Sequence, residues 1–120
     1  MSADDRRAAL ERGARAERAV ADDLSTSGWT ILHRNWRGGG GELDLVVERA
    51  GEVRFVEVKL RAPDDPTLAD AVTASKQRRL IGAARAWLLQ YEPPAECAFL
   101  VALVRPHAGG WQIAYIDNAF

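Results

Sequence analysis

Apolar and small residues recur every three or four positions from about Ala3 to Ser25, with Leu10, Ala14, Val20, Ala21 and Leu24 on one stripe. That spacing predicts an amphipathic helix, stopped by Ser25-Thr26-Ser27-Gly28 with Gly28 as its C-terminal cap. A period of two then takes over: Trp29 to Trp36, Glu42 to Glu48 and Val53 to Leu60 read as strands. Gly38 to Gly41 separates the first two as a flexible break, and Arg49-Ala50-Gly51-Glu52 makes a hairpin the simplest link between the next two. Arg61 to Pro66, polar and proline-bearing, reads as a loop. A second helix is predicted from Thr73 or Ser75 to Tyr91, with Leu80, Ile81, Ala84, Trp87, Leu88 and Tyr91 on one face and Pro93-Pro94 ending it. Cys97 to Val104 is apolar enough for a central strand, Pro106 to Gly110 turns the chain, and Trp111 to Ile116 forms the last strand. The order α-β-β-β-α-β-β describes one α/β domain over residues 1–120.

The hairpin between the second and third strands decides which side chains meet. If its loop holds two or four residues, paired positions sum to 101, which sets Asp44 opposite Glu57 and Glu42 opposite Lys59, side chains on one face. A three-residue loop would put Asp44 on the opposite face from Glu57. Two carboxylates facing each other repel, and neither residue favours strands, so the pairing calls for a cause beyond β propensity. A divalent cation is one such cause: Mg²⁺ accepts one or two carboxylates plus waters and substrate phosphate, and the Val58 carbonyl offers a third protein oxygen. Lys59, two residues beyond Glu57, lies on the same face about 6.5 Å further along and reaches the same phosphate. The competing arrangement is a solvated face on which Lys59 pairs with Glu42. Spacing alone leaves both open.

Charge composition bears on that choice. Of sixteen basic residues only Lys59 and Lys76 are lysines, the other fourteen being arginines. A retained lysine in such a chain marks a place for a compact ammonium whose pKa can shift. Glu17 falls on the apolar stripe of the first helix, so its carboxylate faces the sheet and needs a partner. Lys76, four residues from both Val72 and Leu80, also turns inward. Taken singly, each fits a salt bridge or a snorkelling stem; four inward-leaning polar residues together point to a site.

With a net charge of −1 the chain has no global attraction for nucleic acid, so any binding must come from clustered arginines. Arg34, Trp36 and Arg37 lead into the glycine run as a cationic, aromatic-bearing segment, and Arg61, Arg78, Arg79 and Arg85 extend a basic rim. Arg12, Arg15 and their neighbours on the first helix alternate with acids and read as surface charges. The glycine run lacks the Gly-Lys-Ser/Thr of a phosphate loop, and His33 and His107 are too isolated for zinc. Cys97, the single cysteine, reads as a buried thiol that packs without reacting. The N-terminus has no apolar core of a signal peptide and no apolar run approaches membrane-spanning length, so a cytoplasmic protein without membrane contact is expected.

The segments Gly41-Glu42-Leu43-Asp44-Leu45-Val46, Phe55-Val56-Glu57-Val58-Lys59-x-Arg61, Lys76-Gln77-x-Arg79 and Ile116-Asp117-Asn118-Ala119-Phe120 together resemble the small bacterial UPF0102 family, also called the YraN family. That family is similar to the PD-(D/E)xK nuclease superfamily, and within it to the archaeal Holliday-junction resolvases. Leu43 stands where the superfamily's name has proline. The resemblance implies a restriction-endonuclease-like core, a mixed β-sheet flanked by helices. It further implies Asp44 and Glu57 as ligands of Mg²⁺ or Mn²⁺, Lys59 as the catalytic lysine, Glu17 as the first-helix acid, and a homodimer acting on branched or flapped DNA. Lys76 joins the catalytic set on its inward position, and Arg34, Arg37, Arg61 and Arg79 are the candidate nucleic-acid contacts. The competing function is a non-catalytic module that keeps the fold and binds nucleic acid or a protein.

Overall fold

The structure is a computed structural model that describes residues 1–63, 72–92, 94 and 96–120. Its elements run α1 (Ala3–Thr26), β1 (Thr30–Gly38), β2 (Gly41–Arg49), β3 (Glu52–Leu60), α2 (Ala74–Gln90), β4 (Glu96–His107) and β5 (Gly110–Asp117). This is the predicted order. The far end of the Arg61–Pro66 loop and Pro93, named as a helix stop, lie outside the described residues.

Local chemistry accounts for the ends of both helices. Ser2 accepts from the Asp5 N–H while the Asp5 carboxylate accepts from the Ser2 N–H, a reciprocal capping box with Asp4 and Asp5 in the positive first turn of α1. At its other end Gly28 takes φ +93° and donates to the Ser25 carbonyl, as the sequence predicts. Thr73 caps α2 by accepting from the Lys76 N–H at 3.2 Å.

The strands form one mixed sheet in the order β1-β2-β3-β4-β5, antiparallel throughout except for the parallel β3–β4 pair that α2 connects. β4 is therefore an interior strand, second from the edge, and β3 is the central one. The helices flank the sheet on opposite faces. Ala16, Val20, Ala21 and Leu24 of α1 pack on Leu45, Val47, Val56, Leu100, Ala102 and Val104. Leu80, Ala83, Ala84 and Trp87 of α2 pack on Leu43, Val46, Val53 and Phe55. Burying each such aliphatic or aromatic side chain contributes about 1.5–3 kcal/mol, so the two seams dominate the stability.

Four expectations need correcting. Gly38 to Gly41 is no flexible break: Gly38 pairs with Gly41 across a two-residue turn with Gly39 at φ +58° and Gly40 at φ +80°, a twist that matches paired strands. A side chain at Gly39 would run into the Gly82 backbone of α2, so the glycines let hairpin and helix touch main chain to main chain. Leu10 is 76 % exposed because α1 overhangs the sheet there, and the seam begins only at Ala16. Cys97 is exposed because it is the second residue of β4, ahead of the buried Leu100–Val104 stretch. Tyr91, expected as the last helical residue, is the cap beyond α2; its ring is partly exposed yet still stacks on Trp87 with centroids 4.7 Å apart.

Candidate metal and phosphate site

β2 and β3 are joined by the two-residue turn Ala50-Gly51, and their ladder runs from Arg49↔Glu52 to Leu45↔Val56 with paired positions summing to 101. The even-loop register therefore holds. Regular pairing stops one step short of Asp44. Leu43 belongs to the α2 seam and Leu45 to the α1 seam, although residues two apart on a regular strand share a face. The pleat is thus broken at Asp44, and on β1 Asn35, between the residues that pair with Leu45 and Leu43, takes φ +50°. Freed from the ladder, the Asp44 carboxylate accepts from the Val58 N–H at 2.8 Å.

Glu57 points to the α2 side and is only 4 % exposed. Its Oε1 lies 3.3 Å from Lys59 Nζ and 3.6 Å from Lys76 Nζ, which brings both lysines of the chain to one carboxylate. Its Oε2 is buried and has no hydrogen-bond partner. Among the described residues the other such side-chain atom is Trp87 Nε1, in the α2 seam. Glu42 pairs with Arg37 at 3.7 Å, so the alternative in which it holds Lys59 does not occur.

Electrostatics follow this geometry. Burial and the nearby Glu57 carboxylate push Asp44 up to about 7, against the Val58 hydrogen bond and Lys76, which oppose the rise. Glu17 is also raised, chiefly by burial and then by Glu42 and Glu57, while Arg34 and a hydrogen bond from Asn35 hold it down. Glu17 thus faces the acids across the β1–β2 edge, in a cavity of about 220 Å³ that Arg34, Asn35 and Leu45 also line. A second cavity of about 310 Å³ beside Lys76 is lined by Arg37, Glu42 and Arg79. Asp44, Glu57, Lys59 and Lys76 therefore converge, with Arg37 and Arg79 beside Lys76, while Glu17 and Arg34 act on the acids from the α1 side. Arg61 is not drawn in: its guanidinium turns back to the Leu60 carbonyl at 3.2 Å.

Among the described residues no group of three or more His, Cys, Asp or Glu side chains forms a ready metal cage. Two carboxylates suffice for Mg²⁺, which keeps several waters. Glu57 Oε2 is a buried acceptor without a donor and the raised Asp44 is a carboxylate short of positive charge, so the residues present fit a divalent cation. Sequence reasoning did not find Asn35 or the Val58 N–H. A positive-φ asparagine inside a strand and a backbone donor leave no mark in a hydrophobic pattern.

The fold and the site define a small α/β protein with an acid–lysine cluster at the edge of regular strand pairing. The model of the family described as "Uncharacterised protein family UPF0102" matches residues 16–104. A UPF0102 protein of Synechococcus sp. (strain JA-3-3Ab) is 46 % identical over 86 % of this chain and 82 % of its own length. Another, from Methylocella silvestris, is 45 % identical over 74 % of the chain and 71 % of its own length, and one from Bacteroides fragilis is 38 % identical over 90 % of each. The chain belongs to the UPF0102 family, as its motifs indicate. No helix among the described residues is long and apolar enough to cross a membrane.

Proposed function

We propose that this chain is a divalent-metal-dependent endonuclease of the restriction-endonuclease-like kind, hydrolysing phosphodiester bonds in DNA, with branched or flapped structures as its substrates. The observation that carries this reading is the meeting of Asp44, Glu57, Lys59 and Lys76, with one buried Glu57 oxygen left unpartnered. Asp44 and Glu57 would hold Mg²⁺ or Mn²⁺, which when bound supplies Lewis acidity toward the phosphoryl oxygen and acidifies water. Lys59, released in part from Glu57, orients the attacking water and stabilises charge building on the phosphate. Lys76 holds the neighbouring phosphate oxygen from the α2 side, and Glu17 accepts a hydrogen bond that fixes a water against Asp44. Arg34, Arg37 and Arg79 engage flanking phosphates, and Arg61 joins them only by turning away from Leu60. β5, at the sheet edge, offers a backbone for two-fold pairing with a second copy, as a two-strand cut requires.

A second reading, a binding module without catalysis, draws on one observation: both lysines already neutralise Glu57. Calorimetric titration of Mg²⁺ and Mn²⁺ into the wild type and an Asp44→Asn/Glu57→Gln variant, with and without branched DNA, separates the two. Saturable binding lost in the variant, together with cleavage, supports the nuclease. Identical isotherms for the two proteins sink it and leave the module.

A further inference from the structure

α1 presents a second polar flank. At about 100° per residue, Arg12 and Arg15 stand roughly 140° and 160° around the helix from Glu17, on the other side of the buried Ala16 stripe. Where Glu17 faces β1 and the acids, these arginines face the β4–β5 hairpin. With His107, Trp111 and the turn between them they line a cleft of about 600 Å³. None of its lining residues is acidic, and among the described residues neither arginine has a salt-bridge partner.

The cleft also lies at the same end of the sheet as the acid–lysine cluster. Lys59 is level with Leu103 in the parallel β3–β4 pair, and His107 lies four residues further along β4. That is about 13 Å measured along the strands, with the lysines on the α2 face and the cleft on the α1 face. Two planar guanidinium forks beside an indole suit a sugar–phosphate backbone.

We propose that this cleft binds the phosphate backbone of a second arm of a branched DNA whose scissile phosphate sits at Asp44 and Glu57. The proposal rests on the nuclease reading and adds to it the means by which a branch is told from a plain duplex: the first arm lies across Arg37 and Arg79, the second across Arg12 and Arg15.

Fluorescence anisotropy with a four-way branched DNA and a duplex of the same sequence, with Ca²⁺ in place of Mg²⁺, tests it. Arg12→Gln/Arg15→Gln is expected to weaken binding to the branch roughly tenfold at 0.15 M salt and to flatten log K against log salt by about 2, the loss of two phosphate contacts. Binding to the duplex changes less than twofold, and hydrolysis of a small phosphodiester stays at the wild-type rate. An equal loss on both DNAs overturns the second-arm assignment. If Arg37→Gln/Arg79→Gln weakens the branch and Arg12→Gln/Arg15→Gln does not, the cleft is overturned while the nuclease reading stands. A wild type that binds no DNA overturns both.

Discussion

Two places in this sheet bury charge, and they treat it differently. On β3, Arg54 is 7 % exposed yet well satisfied: Nε donates to Asp117 at 2.8 Å, Nη2 to the same carboxylate at 3.4 Å, and Nη1 to the Val53 carbonyl at 3.2 Å. The Trp29 ring lies 5.6 Å from its centre, and the pairing with Asp117 raises the Arg54 pKa further. Three residues along the same strand, Glu57 is as deeply buried but has one oxygen unpartnered, beside an Asp44 raised to about 7. A fold that closes one charge cluster so fully is able to close another. The open cluster is the one at which we propose that a metal binds.

The largest effect that would sharpen this contrast is on chemistry. Lys59→Ala should lower DNA cleavage by about 10²–10³-fold while Mg²⁺ still binds, since one transition-state contact is lost and the carboxylates stay; unchanged cleavage would remove Lys59 from the mechanism. Next comes Asp117→Ala, which leaves the buried guanidinium with the Val53 carbonyl and a long 3.9 Å pairing to Glu52. Breaking a buried pair costs about 3–5 kcal/mol, and the half-exposed Asp117 puts this one near 2–3 kcal/mol by urea denaturation, with metal binding untouched. A loss of metal affinity in that variant would mean that the two clusters are coupled.

A smaller effect concerns pH. A carboxyl whose folded pKa lies near 7 instead of 3.8 holds its proton more tightly when folded, so metal-free protein gains stability from it at low pH and loses that gain as pH rises from about 4 to 7. Asp44→Asn should abolish this dependence and leave chelated protein at pH 8 about 1–2 kcal/mol more stable than the wild type, after allowing for solvent screening. Equal melting shifts at pH 5 and pH 8 would contradict the raised pKa. Smallest of all, Glu42→Gln should change stability by less than about 0.5 kcal/mol, because its pairing with Arg37 is exposed. A larger change would join Glu42 to the acid–lysine cluster.

Much of this arrangement was legible in the sequence because it follows from counting. A two-residue link fixes the sum of paired positions, and the sum brings Asp44 toward Glu57. The three-and-four spacing puts Glu17 on the inner side of α1 and Lys76 on that of α2. What escaped depends on partners distant in sequence. The glycine run looked mobile because the α2 backbone that demands it, at Gly82, lies about forty residues away. Arg54 carries no mark in the strand pattern, because the Asp117 that closes over it comes from β5, sixty-three residues on. Whether Lys59 would choose Glu42 or Glu57 turned on the broken pleat at Asp44, which no alternating pattern announces.

The contact of Gly39 with Gly82 makes the acid–lysine spacing a property of the main chain. The hairpin that carries Asp44 and the helix that carries Lys76 meet there with no side chain between them, so neither can slide without a backbone collision. Substitutions in either hydrophobic seam can then alter how firmly the protein stands without altering the distance between its opposing charges.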